Sequence, residues 1–344
     1  MRAVVASSYG GPEVLLTGEV ARPVPAPDQI LVQVAACGVC GHDLLARKGA
    51  FPLSRPPFVM GHEIAGVVVE AGPRVRGFAV GNRVALTQRI SCGTCAACRA
   101  GRDNVCVSGP GFYGEGLSGG YGDYVVASAR NAVVIPGHIP FKVAAVLSCA
   151  IGTGYHALRR SGLRVGDWVL VTGAGGGVGL HTVKLAALMG LVAIAVSGDA
   201  TKAAMLLEAG AVHVVIPESG AFHREVRELT GGEGVDGVVE IAGRPTYQSS
   251  VRALRAGGRM VLVGNVEPGS YDFNPALAIL KELDFVGSGH ATLDDLRRVV
   301  ALVVAGRIAP VIAAEFPRDS ATDAHRLIEA RKTTGRVVLT HALS

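Results

Sequence analysis

The sequence predicts an α/β chain: a doubly wound parallel sheet in its second half, preceded by an antiparallel, barrel-like β domain. Up to residue 150, short β-branched runs alternate with proline and glycine turns. Beyond it, short apolar strands alternate with stretches of helical spacing, the pattern of parallel strands covered by helices on both faces. A glycine string, Gly173-Ala-Gly-Gly-Gly-Val-Gly179, stands between the first such strand and the first such helix. At 344 residues, two domains are the default expectation.

In the first half, residues 30–35, 64–70, 83–86, 122–126 and 132–135 read as strands. Pro23, Pro25, Pro27, Pro56, Pro57, Pro110, Pro136 and Pro140 punctuate them. In the second half, 168–172, 192–197, 212–216, 235–241, 259–264 and 283–287 read as strands. Residues 179–189, 201–209, 222–229 and 247–254 carry helical spacing between them. After the last strand, 293–305 and 322–330 read as helices and 336–340 as a closing strand. The expected domains are 1–150, containing a cysteine lobe near 91–107, then 151–288, then a tail, 289–344, returning to the first domain.

Hydrophobic residues make up 49% and charged residues 18%, a globular balance. Glycine, at 47 residues, implies many tight turns and close backbone approaches. The net charge of +5 is modest, and no basic run reaches five residues, so a nucleic-acid surface is not indicated. The opening MRAVVASSYGGPEV lacks a signal peptide's apolar core, and no apolar run approaches a membrane span. A cytoplasmic protein with no membrane partner is expected. In that reducing compartment, close cysteines bind metal more often than they pair.

The glycines at 173, 176 and 179 form G-x-x-G-x-x-G at a strand-to-helix turn. Small residues let the backbone approach a pyrophosphate, and the helix start supplies N–H donors. With repeated βα units beyond, Gly173, Gly175, Gly176, Gly177, Val178 and Gly179 are the expected dinucleotide loop of a Rossmann-type sheet. No Gly-Lys-Ser/Thr follows, which argues against a Walker-type loop. The second strand usually ends in an acid that bonds the ribose 2′-OH. Here it ends Val196-Ser197-Gly198, and Lys202 follows. Uncharged Ser197 and cationic Lys202 favour NADP(H) over NAD(H). The competing reading has Asp199 holding NAD, with Lys202 merely solvated.

Six of the seven cysteines fall into two metal patterns. Cys92, Cys95, Cys98 and Cys106 form C-x2-C-x2-C-x7-C, which suits a closed structural zinc. Cys40, His62 and Cys149 are dispersed, and such a Cys/His/Cys set leaves a fourth position open for chemistry. Cys40 lies in Cys37-Gly-Val-Cys-Gly-His-Asp43, and His62 in Gly61-His-Glu63. Cys149 precedes Gly152-Thr-Gly-Tyr155, where the strand pattern changes.

These motifs, in this order over essentially the whole length, resemble the zinc-containing medium-chain dehydrogenases/reductases, the alcohol dehydrogenase superfamily. The resemblance implies a GroES-like β-barrel catalytic domain beside the Rossmann-type doubly wound sheet. It implies a catalytic zinc on Cys40, His62 and Cys149, Asp43 bonded behind His62, and Glu63 as a carboxylate able to approach the metal. With the structural zinc, that makes two zinc ions per chain. It places Arg336 near the cofactor and implies a homodimer or homotetramer. The implied reaction is hydride transfer between NAD(P)(H) and a small-molecule alcohol, aldehyde or ketone. Cys37 has no family role and reads as a small buried thiol.

Members that oxidise alcohols usually carry Ser or Thr two residues after the first zinc cysteine, and a relay histidine three residues further on. His42 and Leu45 stand at those places. Either His42 moves the proton itself, or the reaction needs no such relay. For the second option, the stretches from Gly258 to Asn265, from Ile279 to Leu283 and from Gly306 to Pro310 resemble acryloyl-CoA reductases of the same superfamily. A conjugate reductase is therefore the alternative activity. A non-enzymatic structural protein does not need the dispersed metal set. A zinc-stabilised nucleic-acid binder lacks basic patterning.

Overall fold

The structure is a computed structural model describing residues 1–217, 221–264 and 269–343. Asn265, the end of one resemblance motif, lies outside the described residues. The chain forms two compact units, residues 1–152 with 290–344 and residues 153–289.

In the first unit a seven-stranded sheet carries the core. Its order is Ala132–Val134, Arg83–Leu86, Glu63–Ala71, Gln29–Val39, Arg336–Thr340 and Ile312–Pro317, with Tyr124–Ser128 also pairing Gln29–Val39. All neighbours are antiparallel except the last two strands of that path. The expected strand at 30–35 extends to Val39 because its distal end pairs with Arg336–Thr340, a contact between segments remote in sequence. The strand expected at 122–126 lies at Tyr124–Ser128, since Gly122 is held in a turn to Gly119. Strands Arg2–Ala6, Leu15–Glu19 and Ile312–Pro317 and helix Gly41–Arg47 escaped the sequence reading. Helix Leu293–Val304 opens on a reciprocal cap. The Thr292 hydroxyl accepts the Asp295 N–H, and the Asp295 carboxylate accepts the Thr292 N–H, both at 3.0 Å.

The second unit holds a six-stranded parallel sheet. Its order is Ala211–Val215, Val192–Val196, Trp168–Val171, Val235–Glu240, Leu254–Leu262 and Asp284–Gly287. In chain order that is 3-2-1-4-5-6, the Rossmann arrangement, whose direction reverses between the first and fourth strands. Val169, Leu170, Val171, Ala193, Ile194 and Ala195 are fully buried, as strands covered on both faces require. Helix Gly177–Leu188 starts two residues earlier than its apolar spacing suggests. It ends in a Schellman turn: Gly190 at φ +75° donates to Ala187, and Leu191 donates to Ala186. That turn delivers the chain directly into the next strand. The helix expected over 201–209 divides into a 3-10 turn, Ala200–Lys202, and an α-helix, Ala203–Glu208.

Candidate metal and cofactor sites

The end of the long Gln29–Val39 strand leads into Cys40, the cap residue of helix Gly41–Arg47. Asp43, in the first turn of that helix, accepts the Cys40 N–H at 2.9 Å through one carboxylate oxygen. Its other oxygen lies 3.3 Å from His62 Nδ1. His62 Nε2 is thereby turned to Cys40 Sγ at 3.4 Å. Ligand atoms of Cys40, His62, Glu63 and Cys149 all lie within 4.8 Å of one another. Cys40, His62 and Glu63 are buried and Cys149 is half-buried.

Two glycines make room for this arrangement. Gly38 is the register partner of Glu63, and a Cβ there would sit 2.3 Å from the Glu63 carboxylate. Gly61, at φ +95°, turns the chain into His62, and a Cβ there would lie 2.5 Å from the Tyr121 ring. Glu63 pairs with Arg336 at 3.0 Å, and Arg336 also reaches Cys149 Sγ at 3.6 Å. Arg336, which the resemblance puts by the cofactor, is thus buried and turned to the metal-ligand set.

The electrostatics suit a cation. A hydrogen bond from the Cys149 thiol holds Cys40 well below the ordinary thiol range despite its burial, and Cys149 is raised in turn. Burial opposes charge on His62, but the Asp43 carboxylate and the Cys40 sulfur outweigh it and raise its pKa well above the usual value. Burial lifts Glu63 to about 7, with Arg336 opposing. Two sulfurs and one imidazole nitrogen, with a carboxylate behind the imidazole, are the donor set zinc takes, and the carboxylate fixes the ring tautomer.

His42 Nε2 lies 2.5 Å from the Glu115 carboxylate, and the His42 ring stacks on Phe51 at 4.3 Å. It meets His62 edge-on at 4.8 Å. The Phe112 ring lies against both imidazoles, 5.2 Å from His42 and 5.3 Å from His62 between centroids. Glu115, Phe51 and Phe112 were not legible as site residues. They come from loops and a short strand whose spacing carries no signal. Cys37 is fully buried, and its thiol donates to the Gly38 carbonyl at 3.5 Å.

Cys92, Cys95, Cys98 and Cys106 converge in the lobe. Measured sulfur separations are 3.9 Å for Cys92–Cys98, 3.5 Å for Cys95–Cys98 and 3.9 Å for Cys95–Cys106. A tetrahedral zinc with metal–sulfur bonds of about 2.3 Å needs sulfurs about 3.8 Å apart, so the four fit it. N–H groups of Thr94 and Cys95 donate to Cys92 Sγ and lower that thiol to about 5, while burial and Cys95 raise Cys98 to about 12. The lobe's own helix, Ala96–Arg99, buries no residue, so apolar packing does not hold it.

In the second unit, Gly173 at φ +59° turns the chain out of the first Rossmann strand, and Gly176 caps helix Gly177–Leu188. A Cβ on Gly179 would sit 2.3 Å from the Gly173 carbonyl oxygen. Gly179→Ala should therefore cost about 1–3 kcal/mol of stability and weaken dinucleotide binding, read by thermal melting and nicotinamide fluorescence. An alanine variant with wild-type melting and affinity would contradict this close approach. Gly175 lies against Lys202 and Ser197: a Cβ would be 2.6 Å from the lysine stem and 3.2 Å from the serine hydroxyl. Ser197 is buried. Asp199 is engaged elsewhere, accepting from the Thr201 N–H at 3.0 Å and its hydroxyl at 2.6 Å. Val178 forms the first helical turn, its carbonyl accepting from Thr182.

Residues 26–137 match the family model for the alcohol dehydrogenase GroES-like domain, and residues 177–305 match that for the zinc-binding dehydrogenase. An acryloyl-coenzyme A reductase of Metallosphaera sedula is 33% identical over 99% of this chain and 100% of its own. An alcohol dehydrogenase of Geobacillus stearothermophilus is 32% identical over 98% of this chain and 99% of its own. A solved structure, titled as AibC, superposes with TM-score 0.93 at 40% identity, over 100% of this chain and 96% of that one. The chain belongs to the zinc-binding dehydrogenases of the medium-chain alcohol dehydrogenase superfamily. It is an NAD(P)-dependent oxidoreductase acting on a small-molecule substrate.

Proposed function

We propose that this protein interconverts alcohols with aldehydes or ketones, using NADP(H) in preference to NAD(H) and two zinc ions per chain. The observation that carries the reading is the meeting of Cys40, Cys149 and His62, with Asp43 behind the imidazole. We assign the unit of residues 1–152 and 290–344 to catalysis and residues 153–289 to the dinucleotide. A zinc ion on Cys40, His62 and Cys149 would supply Lewis-acid polarisation of a substrate oxygen, and the nicotinamide would supply or accept the hydride.

The chain's own residues do the rest. Asp43 holds the imidazole so that Nε2 faces the two sulfurs. Arg336 balances the buried Glu63 carboxylate and the sulfur of Cys149. His42, held by Glu115, takes the place of the relay hydroxyl. Cys92, Cys95, Cys98 and Cys106 hold the structural ion and shape the lobe. Among the described residues no helix is long and apolar enough to cross a membrane. On family grounds we extend the reading to a cytoplasmic homodimer or homotetramer, which light scattering would distinguish.

The NADP(H) preference rests on buried Ser197, on Lys202 beside Gly175, and on Asp199 being occupied by Thr201. Lys202→Ala should raise KM for NADPH about tenfold, as for one lost charge-assisted contact, and leave KM for NADH unchanged. Equal effects on the two cofactors would overturn the assignment.

One second reading has specific support. His42 and Leu45 replace both ends of the relay, and acryloyl-coenzyme A reductases are among the relatives. It has the enzyme adding hydride to an activated carbon–carbon double bond. Turnover of NADPH with ketones and aldehydes, set against crotonyl- and acryloyl-thioesters, separates the two. Activity confined to the thioesters would replace the first reading with the second.

A further inference from the structure

Glu240 ends the fourth Rossmann strand and is fully buried, yet its side-chain hydrogen-bond partners among the described residues are all neutral. One carboxylate oxygen accepts from the Thr172 hydroxyl at 2.6 Å, the Gly243 N–H at 2.8 Å and the Thr246 hydroxyl at 2.6 Å. The other accepts from the Ser250 hydroxyl at 2.6 Å. A carboxylate buried at this cost to solvation is retained only where its hydrogen bonds are complete. Here they join three pieces of chain. Thr172 closes the first strand and directly precedes the glycine loop. Gly243 caps helix Arg244–Ala253, Thr246 lies in its first turn, and Ser250 lies one turn further along it.

The geometry reaches further through Thr172 and the backbone. The Thr172 hydroxyl accepts from the Ile241 N–H at 2.9 Å and the Ala242 N–H at 3.3 Å. The Glu240 carbonyl accepts from Val263 at 2.9 Å and Gly264 at 3.2 Å. Gly264 lies so close that a Cβ there would sit 2.0 Å from the Ile241 carbonyl oxygen. Gly243, at φ +81°, needs its glycine for this turn. Thr172 and Glu240 lie at the carboxyl ends of the first and fourth strands, and Val263 and Gly264 follow the fifth. The first and fourth strands are neighbours in the sheet. That is the switch point of the sheet, where such folds take their ligand. The fold is two mononucleotide halves, and the loop after the fourth strand serves the second half.

We infer that Glu240 is a positioning residue: it locks the 241–243 turn to the glycine loop as one rigid floor for the nicotinamide half of the dinucleotide. The inference rests on the reading that the 173–179 loop binds that dinucleotide. Glu240→Gln keeps the shape but removes the charge and one acceptor oxygen, so the Ser250 hydroxyl has to reverse from donor to acceptor and the remaining hydrogen bonds lose their charge assistance, which loosens the turn. The test compares binding of NADPH with that of 2′-phospho-ADP-ribose, which lacks nicotinamide, in wild type and Glu240→Gln. NADH and ADP-ribose are used if wild type prefers NADH.

Expected is about tenfold weaker dinucleotide binding, unchanged fragment binding, and a larger deuterium isotope effect with 4-deuterated cofactor. Equal weakening of dinucleotide and fragment would mark a general structural role and overturn the inference, as would no weakening of either. Thr246→Val, which removes one donor, should show the same selectivity at smaller size. It decides the question if the Glu240 variant fails to fold. Wild-type protein that binds neither nucleotide nor fragment would remove the dinucleotide reading itself, and this inference with it.

Discussion

Replacing His62 with alanine is expected to remove one of two zinc equivalents and to lower turnover by more than about a hundredfold. The scale follows from the residues behind metal ligands, whose loss typically costs about 10–100-fold; a ligand itself should cost more. Asp43→Asn tests that outer scale directly. It keeps the Cys40 N–H contact and weakens the hold on His62 Nδ1, so a loss of about 10–100-fold is expected. NADPH binding should survive both changes, because the glycine loop and Lys202, to which we assign the cofactor, belong to the other unit of the chain. Zinc counted by mass spectrometry, steady-state rates and cofactor fluorescence give the three readouts. A His62→Ala protein with two zinc ions and full turnover would dismantle the metal assignment.

The second large effect is expected at the lobe. Cys98→Ser should lose the other zinc and unfold residues 92–106. Structural zinc sites bind with apparent free energies of about 10–16 kcal/mol at neutral pH, and the lobe has no apolar core to replace that contribution. The effect should spread. Asp103 in the lobe accepts the Leu293 N–H at 3.0 Å at the start of helix Leu293–Val304, and Arg89 donates to the Asn104 carbonyl at 3.1 Å. Limited proteolysis should therefore cut between 92 and 106, with a lower melting temperature and one zinc remaining. An intact, protease-resistant lobe in the serine variant would show that something other than metal holds it.

Much of the site was readable because its chemistry is carried by rare residue types. Four cysteines at short spacing converge wherever the chain folds, since few residues separate them. The glycine string was readable for a related reason: a strand, a close turn and a helix start are local events. Ser197 and Lys202 were expected near that loop from their register, and both lie against Gly175. The helix at 41–47 was missed because its first turn is ordered by Cys40 and Asp43, side chains whose pattern reads as metal chemistry and not as a helix signal. Glu115 and Glu240 were missed for the opposite reason. Each is an ordinary acid in sequence, and only its neighbours in space distinguish it.

By itself, then, the amino-acid order determined the two kinds of sheet, the glycine turn after the first parallel strand and the two cysteine-bearing groups that the structure brings together. Periodicity, glycine and cysteine act over a few residues and leave their mark there. Folding in three dimensions decided how Cys40, His62 and Cys149 meet and that Arg336 turns to Glu63. It also decided that Gln29–Val39 runs on to pair with the far end of the chain, and which acids are buried. Those outcomes depend on hydrogen bonds and charge pairs between residues remote in sequence. Their strength comes from exclusion of water, which no local pattern records.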